Sequence, residues 1–220
     1  MTMAHLVGPS ADGLVGRGAF IHAYIYLASQ SPRRRQLLEQ IGVAHRPLLA
    51  EADEDAEALE AEIAGELPAH YVERVTRAKL DAARRRLAQR RWPLAPILCA
   101  DTTVALGRRL LGKPRDAAHA SETLGLLAGR THRVITAVAL WDGRRTRLAQ
   151  STSHVRFAAM PPAAIEAYVA SGEAFGKAGA YAIQGPIAAW IERIEGSYSG
   201  IMGLPLYETA QLLRQAHVRR

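Results

Sequence analysis

Ten consecutive residues, Ile97 to Leu106 (ILCADTTVAL), are apolar on both sides of a single aspartate. A run of that length, without the strict alternation of a half-wetted strand, reads as an internal strand covered on both faces. Asp101 interrupts it. A carboxylate there is costly unless it is paired, bound to metal or set at a strand end beside a cleft. The other reading is a structural aspartate accepting hydrogen bonds from the backbone, Thr102 or Thr103.

The flanking segments supply what such a strand needs. Residues 24–29 (YIYLAS) read as a first strand, with Ser31 and Pro32 as N-cap and first residue of a helix whose body is 35–41 and whose stop is Gly42. Residues 44–50 read as a second strand, the acidic stretch 51–66 as a solvated loop with a short helix, and 69–90 as a long helix ending before Trp92 and Pro93. Gly107 turns the chain after the internal strand, and Asp116 caps a helix that Gly129 ends. Asp142-Gly143, between two period-two stretches, marks a hairpin. Further helices are expected from Pro161 and Pro162 to Ala170, and after Pro205. Strands and helices without clean βαβ repetition predict an α/β fold, a mixed twisted sheet flanked by helices. With 220 residues, 49% of them hydrophobic, and no glycine/serine linker, residues 24–220 are expected to form one domain with two lobes around a cleft. Residues 1–23 read as a flexible extension.

Charge narrows the ligand. The net charge of +7 favours anionic partners without separating nucleic acid from nucleotide or phosphate. Only three of the 28 basic residues are lysines, Lys79, Lys113 and Lys177, and a compact ammonium is not interchangeable with a planar guanidinium. In LASQSPRRRQLLEQIG the arginines fall in the first turns of a helix, where exposed N–H groups disfavour cations unless an anion arrives to be shared. That segment looks prepared for a phosphate. The arginines at 84–86 read instead as a solvated face. Glu54, from a separate loop, completes a two-carboxylate set with Asp101, suited to Mg2+ or Mn2+ or to orienting a water. Hydrolysis of a phosphoanhydride needs cations around the phosphate oxygens, and Arg33, Arg34, Lys79 and Lys113 are the candidates for them, a solvated surface being the other reading of each.

Other chemistry is absent from the pattern. Cys99 is the only cysteine, so no intrachain disulfide or cysteine metal cluster is available. GxxxxGK[ST], HExxH and GxSxG do not occur, and His132 has no acidic residue near it in sequence. No apolar run approaches membrane-spanning length and the first 23 residues lack an export pattern, so the cytoplasm is the expected location.

Read in order, LASQSPRRRQLLEQIG, the DE at 53 and 54, YVERVTRAKL, ADTTV, GKPRD, THRVITAV, SGEAFGKAGAYAIQG and GSYSGIMGLPLYET resemble the Maf family of nucleoside triphosphate pyrophosphatases, over residues 24 to 215. The resemblance implies a Maf/ITPase-like cleft for a nucleotide, and hydrolysis between the α and β phosphates to monophosphate and pyrophosphate with a divalent metal, Mg2+ or Mn2+. It implies Ser29, Arg33 and Arg34 as the phosphate-binding opening, with one arginine also near the base. Glu54 and Asp101 resemble the acidic pair that holds metal, with Asp101 as base or water-orienter, and Lys79 and Lys113 the lysines around triphosphate and departing pyrophosphate. Thr102 belongs to the ADT motif, and Gln184 resembles the glutamine of base recognition. SPRR, ADT and IQG together resemble the branch acting on dTTP and UTP, and an amide offers the donor and acceptor that match the edge of thymine or uracil. The resemblance is compatible with a homodimer. Two departures stand out: where the family usually has SGEP and DKAGAY, this chain has Ala174 for the proline and Gly176 for the aspartate. The alternatives are a basic nucleic-acid-binding module, expected to show a continuous basic face with stacking aromatics, and a cell-division regulator without turnover.

Overall fold

The computed structural model describes residues 22–51, 54 and 58–219. The expected extension, as far as residue 21, and Asp53 of the DE pair lie outside the described residues. In chain order the elements are β1 (Ile25–Leu27), α1 (Pro32–Gln40), β2 (His45–Pro47), α2 (Pro68–Arg90), β3 (Ile97–Leu106), β4 (Arg109–Leu111), α3 (Ala117–Leu127), β5 (Thr131–Trp141), β6 (Thr146–Phe157), α4 (Pro162–Ala170), β7 (Ile191–Glu195), the short α5 (Tyr198–Met202) and α6 (Leu206–Gln215). Single 3-10 turns lie at Ala58–Glu60, Ala178–Ala180 and Pro186–Trp190.

Among the described residues one mixed sheet carries the strands in the order β2-β1-β3-β5-β6-β7, with β4 paired to β3. β1 runs parallel to β2 and β3, and the remaining pairs are antiparallel. The expected hairpin forms as β5 and β6, its turn tied by Asp142 Oδ1, which accepts from the amides of Arg144 and Arg145 at 2.9 and 2.8 Å. Proline and a hydroxyl start α1 as the sequence predicts, with Ser31 Oγ accepting weakly from the Arg34 amide at 3.5 Å.

Period-two alternation on β3 decides where the chemistry lies. Leu98 and Ala100 pack with Leu37 and Leu38 of α1 and Leu212 and Leu213 of α6. Ile97 and Cys99 pack with Leu80, Ala83 and Leu87 of α2. Continuing that alternation assigns Asp101 to the α2 face and Thr102 to the α1 face. The far ends of β3, β5 and β6 belong to a third core, where Val104, Val134, Val155 and Phe157 meet Leu124, Tyr168 and Tyr181.

Several expectations are corrected by the structure. The second strand is three residues long because the chain leaves the sheet after Leu48, whose amide still donates to the Leu27 carbonyl at 3.0 Å and whose side chain packs in the α2 core. In the acidic stretch, the short helix expected is, among the described residues, a 3-10 helix of three residues at Ala58–Glu60. β7, whose burial does not alternate, has no strong pattern and was not expected. Arg86 is not on a solvated face: it is 6% exposed, because its guanidinium donates inward to Glu54 and to the Leu48 carbonyl. Arg84 does stay outside, lying over the Trp141 ring at 4.9 Å.

His132 is a core group. Its Nε2 lies 2.7 Å from the Tyr181 hydroxyl, its ring is edge-on to Phe157 and Tyr181, and burial pulls its pKa down to about 4. The folded protein therefore holds it neutral while the unfolded chain takes up a proton near pH 6.5. The stability tied to the neutral ring is complete above that pH and is lost as pH falls towards the folded value, by about 3 kcal/mol in all. Urea unfolding followed from neutral to mildly acidic pH is expected to show this slope, and His132→Gln is expected to flatten it.

Candidate active site

A cleft of about 670 Å³ is lined by Ser29, Arg33, Arg34, Glu54, Lys79, Asp101, Thr102 and Lys113, together with Glu60, Arg85, Lys177, Tyr181 and Gly203. Eight of the nine side chains singled out in the sequence thus share one concavity. Gln184 is the ninth. It is exposed and does not line the cleft, although its neighbour Ile183 does.

The floor is built from β3 and α2. Asp101, 8% exposed, accepts through Oδ1 from Lys79 Nζ at 2.5 Å, and its other oxygen makes no hydrogen bond with any described residue. Lys79 reaches it from the middle of α2, the face of β3 that the alternation assigns to Asp101. The same ammonium donates to Glu60 Oε1 at 2.7 Å, while Glu60 Oε2 accepts from Lys113 Nζ at 2.9 Å. Carboxylates and lysines alternate in one chain of contacts, Asp101, Lys79, Glu60, Lys113. Burial pulls the Lys79 pKa down, but the two carboxylates outweigh it and hold it above the ordinary value. Burial pushes Glu60 up, but Lys79 and Lys113 outweigh it and hold it below the usual carboxylate range. Both groups are therefore charged at neutral pH.

On the other face of β3, Arg34 ties three segments together. Its Nε donates to the Gly203 carbonyl at 2.7 Å, Nη1 to Ser29 Oγ at 3.1 Å and Nη2 to Thr102 Oγ1 at 3.3 Å. Thr102 continues the network through Thr136, which donates to the Gly200 carbonyl. Gly203 caps α5 at φ +117, a conformation that a side chain resists, and this turns its carbonyl towards Arg34. With these donors occupied, Arg34 chiefly shapes the opening. Arg33 has one such tie, Nε to the Met202 carbonyl at 3.3 Å, and has more of its guanidinium available for an anion.

Glu54 lines the cleft but turns to Arg86, which donates through Nε at 2.7 Å and through Nη2. These bonds hold its carboxyl down at about 2, against an opposing push from burial. Glu60, not Glu54, is the carboxylate that shares a cation with Asp101. Sequence reasoning missed Glu60 and Arg86, since each is one of a run of like residues and only contacts across the fold single it out.

Across the cleft, Lys177 Nζ donates to the Glu173 carbonyl at 2.5 Å. Gly176 beside it sits at φ +69 with open space where a Cβ would be, and Ala174 is fully buried. The two departures thus fall on a cleft-wall turn and on the core beneath it. The described residues contain no group of three or more histidine, cysteine, aspartate or glutamate side chains placed for a metal. The donor set nevertheless fits a hard divalent cation, because Mg2+ and Mn2+ take one or two protein carboxylates and complete their shells with phosphate oxygens and water. No helix among the described residues is long and apolar enough to cross a membrane.

A family model described as Maf-like protein matches residues 24–216. The dTTP/UTP pyrophosphatase of Albidiferax ferrireducens is 60% identical over 191 residues, covering 87% of this chain and 96% of the relative. That of Polaromonas sp. is 60% identical over 196 residues, covering 89% and 97%. That of Cupriavidus pinatubonensis is 59% identical over 199 residues, covering 90% and 100%.

Proposed function

Because this chain belongs to the Maf family, we propose that it is a nucleoside triphosphate pyrophosphatase that hydrolyses the α–β phosphoanhydride of dTTP and UTP, releasing monophosphate and pyrophosphate. The observation that carries this reading is the convergence of Asp101, Lys79 and Lys113 in one cleft with the arginine-bearing start of α1. Relatives at about 60% identity that span nearly the whole chain support it.

Asp101 is the group that acts on water. In our reading its unpaired oxygen accepts a proton as the water oxygen bonds to the α phosphorus. The bond from that phosphorus to the bridging oxygen breaks, and the electron pair leaves with pyrophosphate. Lys79 fixes Asp101 in direction through its hydrogen bond to Oδ1, and with Lys113 and Arg33 offsets the charge of the departing group. Arg34, through Ser29, Thr102 and Gly203, holds the opening in shape. Asp101 and Glu54 are the carboxylates that would hold Mg2+ or Mn2+ beside the triphosphate, Glu54 by exchanging its Arg86 hydrogen bonds for the cation. Bound there, the cation would supply charge neutralisation at the phosphates. Gln184, on the segment that follows cleft-lining Ile183, is assigned the thymine or uracil edge, where one amide offers both a donor and an acceptor.

The test is a hydrolysis panel over dTTP, UTP, CTP, 7-methyl-GTP and the purine triphosphates with Mg2+ and with Mn2+, separating monophosphate, diphosphate, pyrophosphate and phosphate. Monophosphate with pyrophosphate, fastest from dTTP or UTP, is the expected result. Diphosphate with phosphate would place cleavage at the wrong bond, and a folded protein inert on every nucleotide would overturn the reading.

A further inference from the structure

Glu60 uses its two carboxylate oxygens separately, one on Lys79 at 2.7 Å and one on Lys113 at 2.9 Å. Two oxygens on one carbon thus set the separation of two ammonium groups, as two oxygens of one phosphoryl group would. The carboxylate is not a chance visitor from solvent. Its turn is fastened to α2, with Tyr71 Oη donating to the Glu60 carbonyl at 2.9 Å and Arg74 Nη2 donating to the Ala61 carbonyl at 2.9 Å. Arg74 is itself bound to Glu66. Glu60 is half-buried and lines the same cleft as Asp101.

Building on the function just proposed, we infer that Glu60 is an internal stand-in for phosphate. It holds Lys79 and Lys113 at the spacing of a phosphoryl group in the ligand-free protein, is displaced when the triphosphate binds, and returns to help expel pyrophosphate. It is a positioning residue and touches no reacting atom. While Glu60 occupies the lysines, the binding-competent fraction is reduced, and apparent affinity falls by that fraction. Lys79 keeps a partner in either state, because Asp101 stays beside it when Glu60 leaves.

The experiment measures pyrophosphate binding by calorimetry, without turnover, for wild type, Glu60→Gln and Glu60→Asp. It is joined to kcat and KM for dTTP and to Mn2+ titration of each protein. Glu60→Gln keeps the volume and removes the charge, and is expected to bind pyrophosphate on the order of tenfold more tightly. KM for dTTP is expected to fall in parallel, with kcat unchanged or reduced as product release slows. Glu60→Asp, too short to reach both lysines from the same backbone position, is expected to lie between. Unchanged or weaker pyrophosphate binding in a folded Glu60→Gln variant would overturn the inference. So would weakened Mn2+ binding with pyrophosphate affinity unchanged, which would make Glu60 a metal ligand. Failure of the enzymatic reading appears separately, as no dTTP hydrolysis by wild type. Pyrophosphate bound by neither wild type nor Glu60→Gln would overturn the inference while leaving the enzymatic reading to the hydrolysis result.

Discussion

Asp101→Asn is expected to lower kcat for dTTP by about 10³-fold while leaving the protein folded, because the amide keeps the shape of the side chain and loses its basicity. Lys79 keeps Glu60 as a partner, so the substitution does not strand an isolated charge. Pyrophosphate release measured beside circular dichroism separates lost chemistry from lost structure. KM should change less than kcat, since Asp101 is assigned first to the attacking water and would reach the triphosphate only through a bound cation. Near-wild-type kcat in a well-folded Asp101→Asn protein would remove Asp101 from the reaction.

Lys79→Met is expected to be comparably severe and to differ in character. It leaves Asp101 and Glu60 as two partly buried carboxylates without the cation between them, at a stability loss of about 3 kcal/mol. Glu60 then has Lys113 alone to set against its burial, so its pKa is expected to rise. Turnover is expected to fall by about 10²–10³-fold, with KM rising as a phosphate contact is lost. Lys79→Arg makes a useful companion, because a planar guanidinium does not reproduce a compact ammonium held between two carboxylates. Activity restored fully by arginine would show that charge alone is required at this position.

Asp101 was legible because burying a carboxylate in an apolar strand requires a reason that local sequence does not contain. The helix starts at Pro32, Asp116 and Pro162 and the Asp142-Gly143 hairpin were legible because caps and turns are decided within a few residues. Glu60 was not. It lies among many acids, and what distinguishes it is the placement of Lys79 on α2 and Lys113 beyond β4, both set by tertiary packing. Arg86 was hidden in the same way among neighbouring arginines that do face solvent. Glu54 shows the converse limit: its place in the cleft was anticipated, but its pairing with Arg86 depends on a helix face that charge counting cannot resolve.

The arginine ties at the cleft mouth also order events in time. Arg33 and Arg34 belong to the first helix among the described residues, yet the carbonyls they grip, on Met202 and Gly203, follow 169 residues later. At about 5–20 residues per second, the ribosome needs on the order of ten to thirty seconds to bridge that interval. Through that interval the nascent chain has its arginines but not the clasp that shapes the cleft mouth.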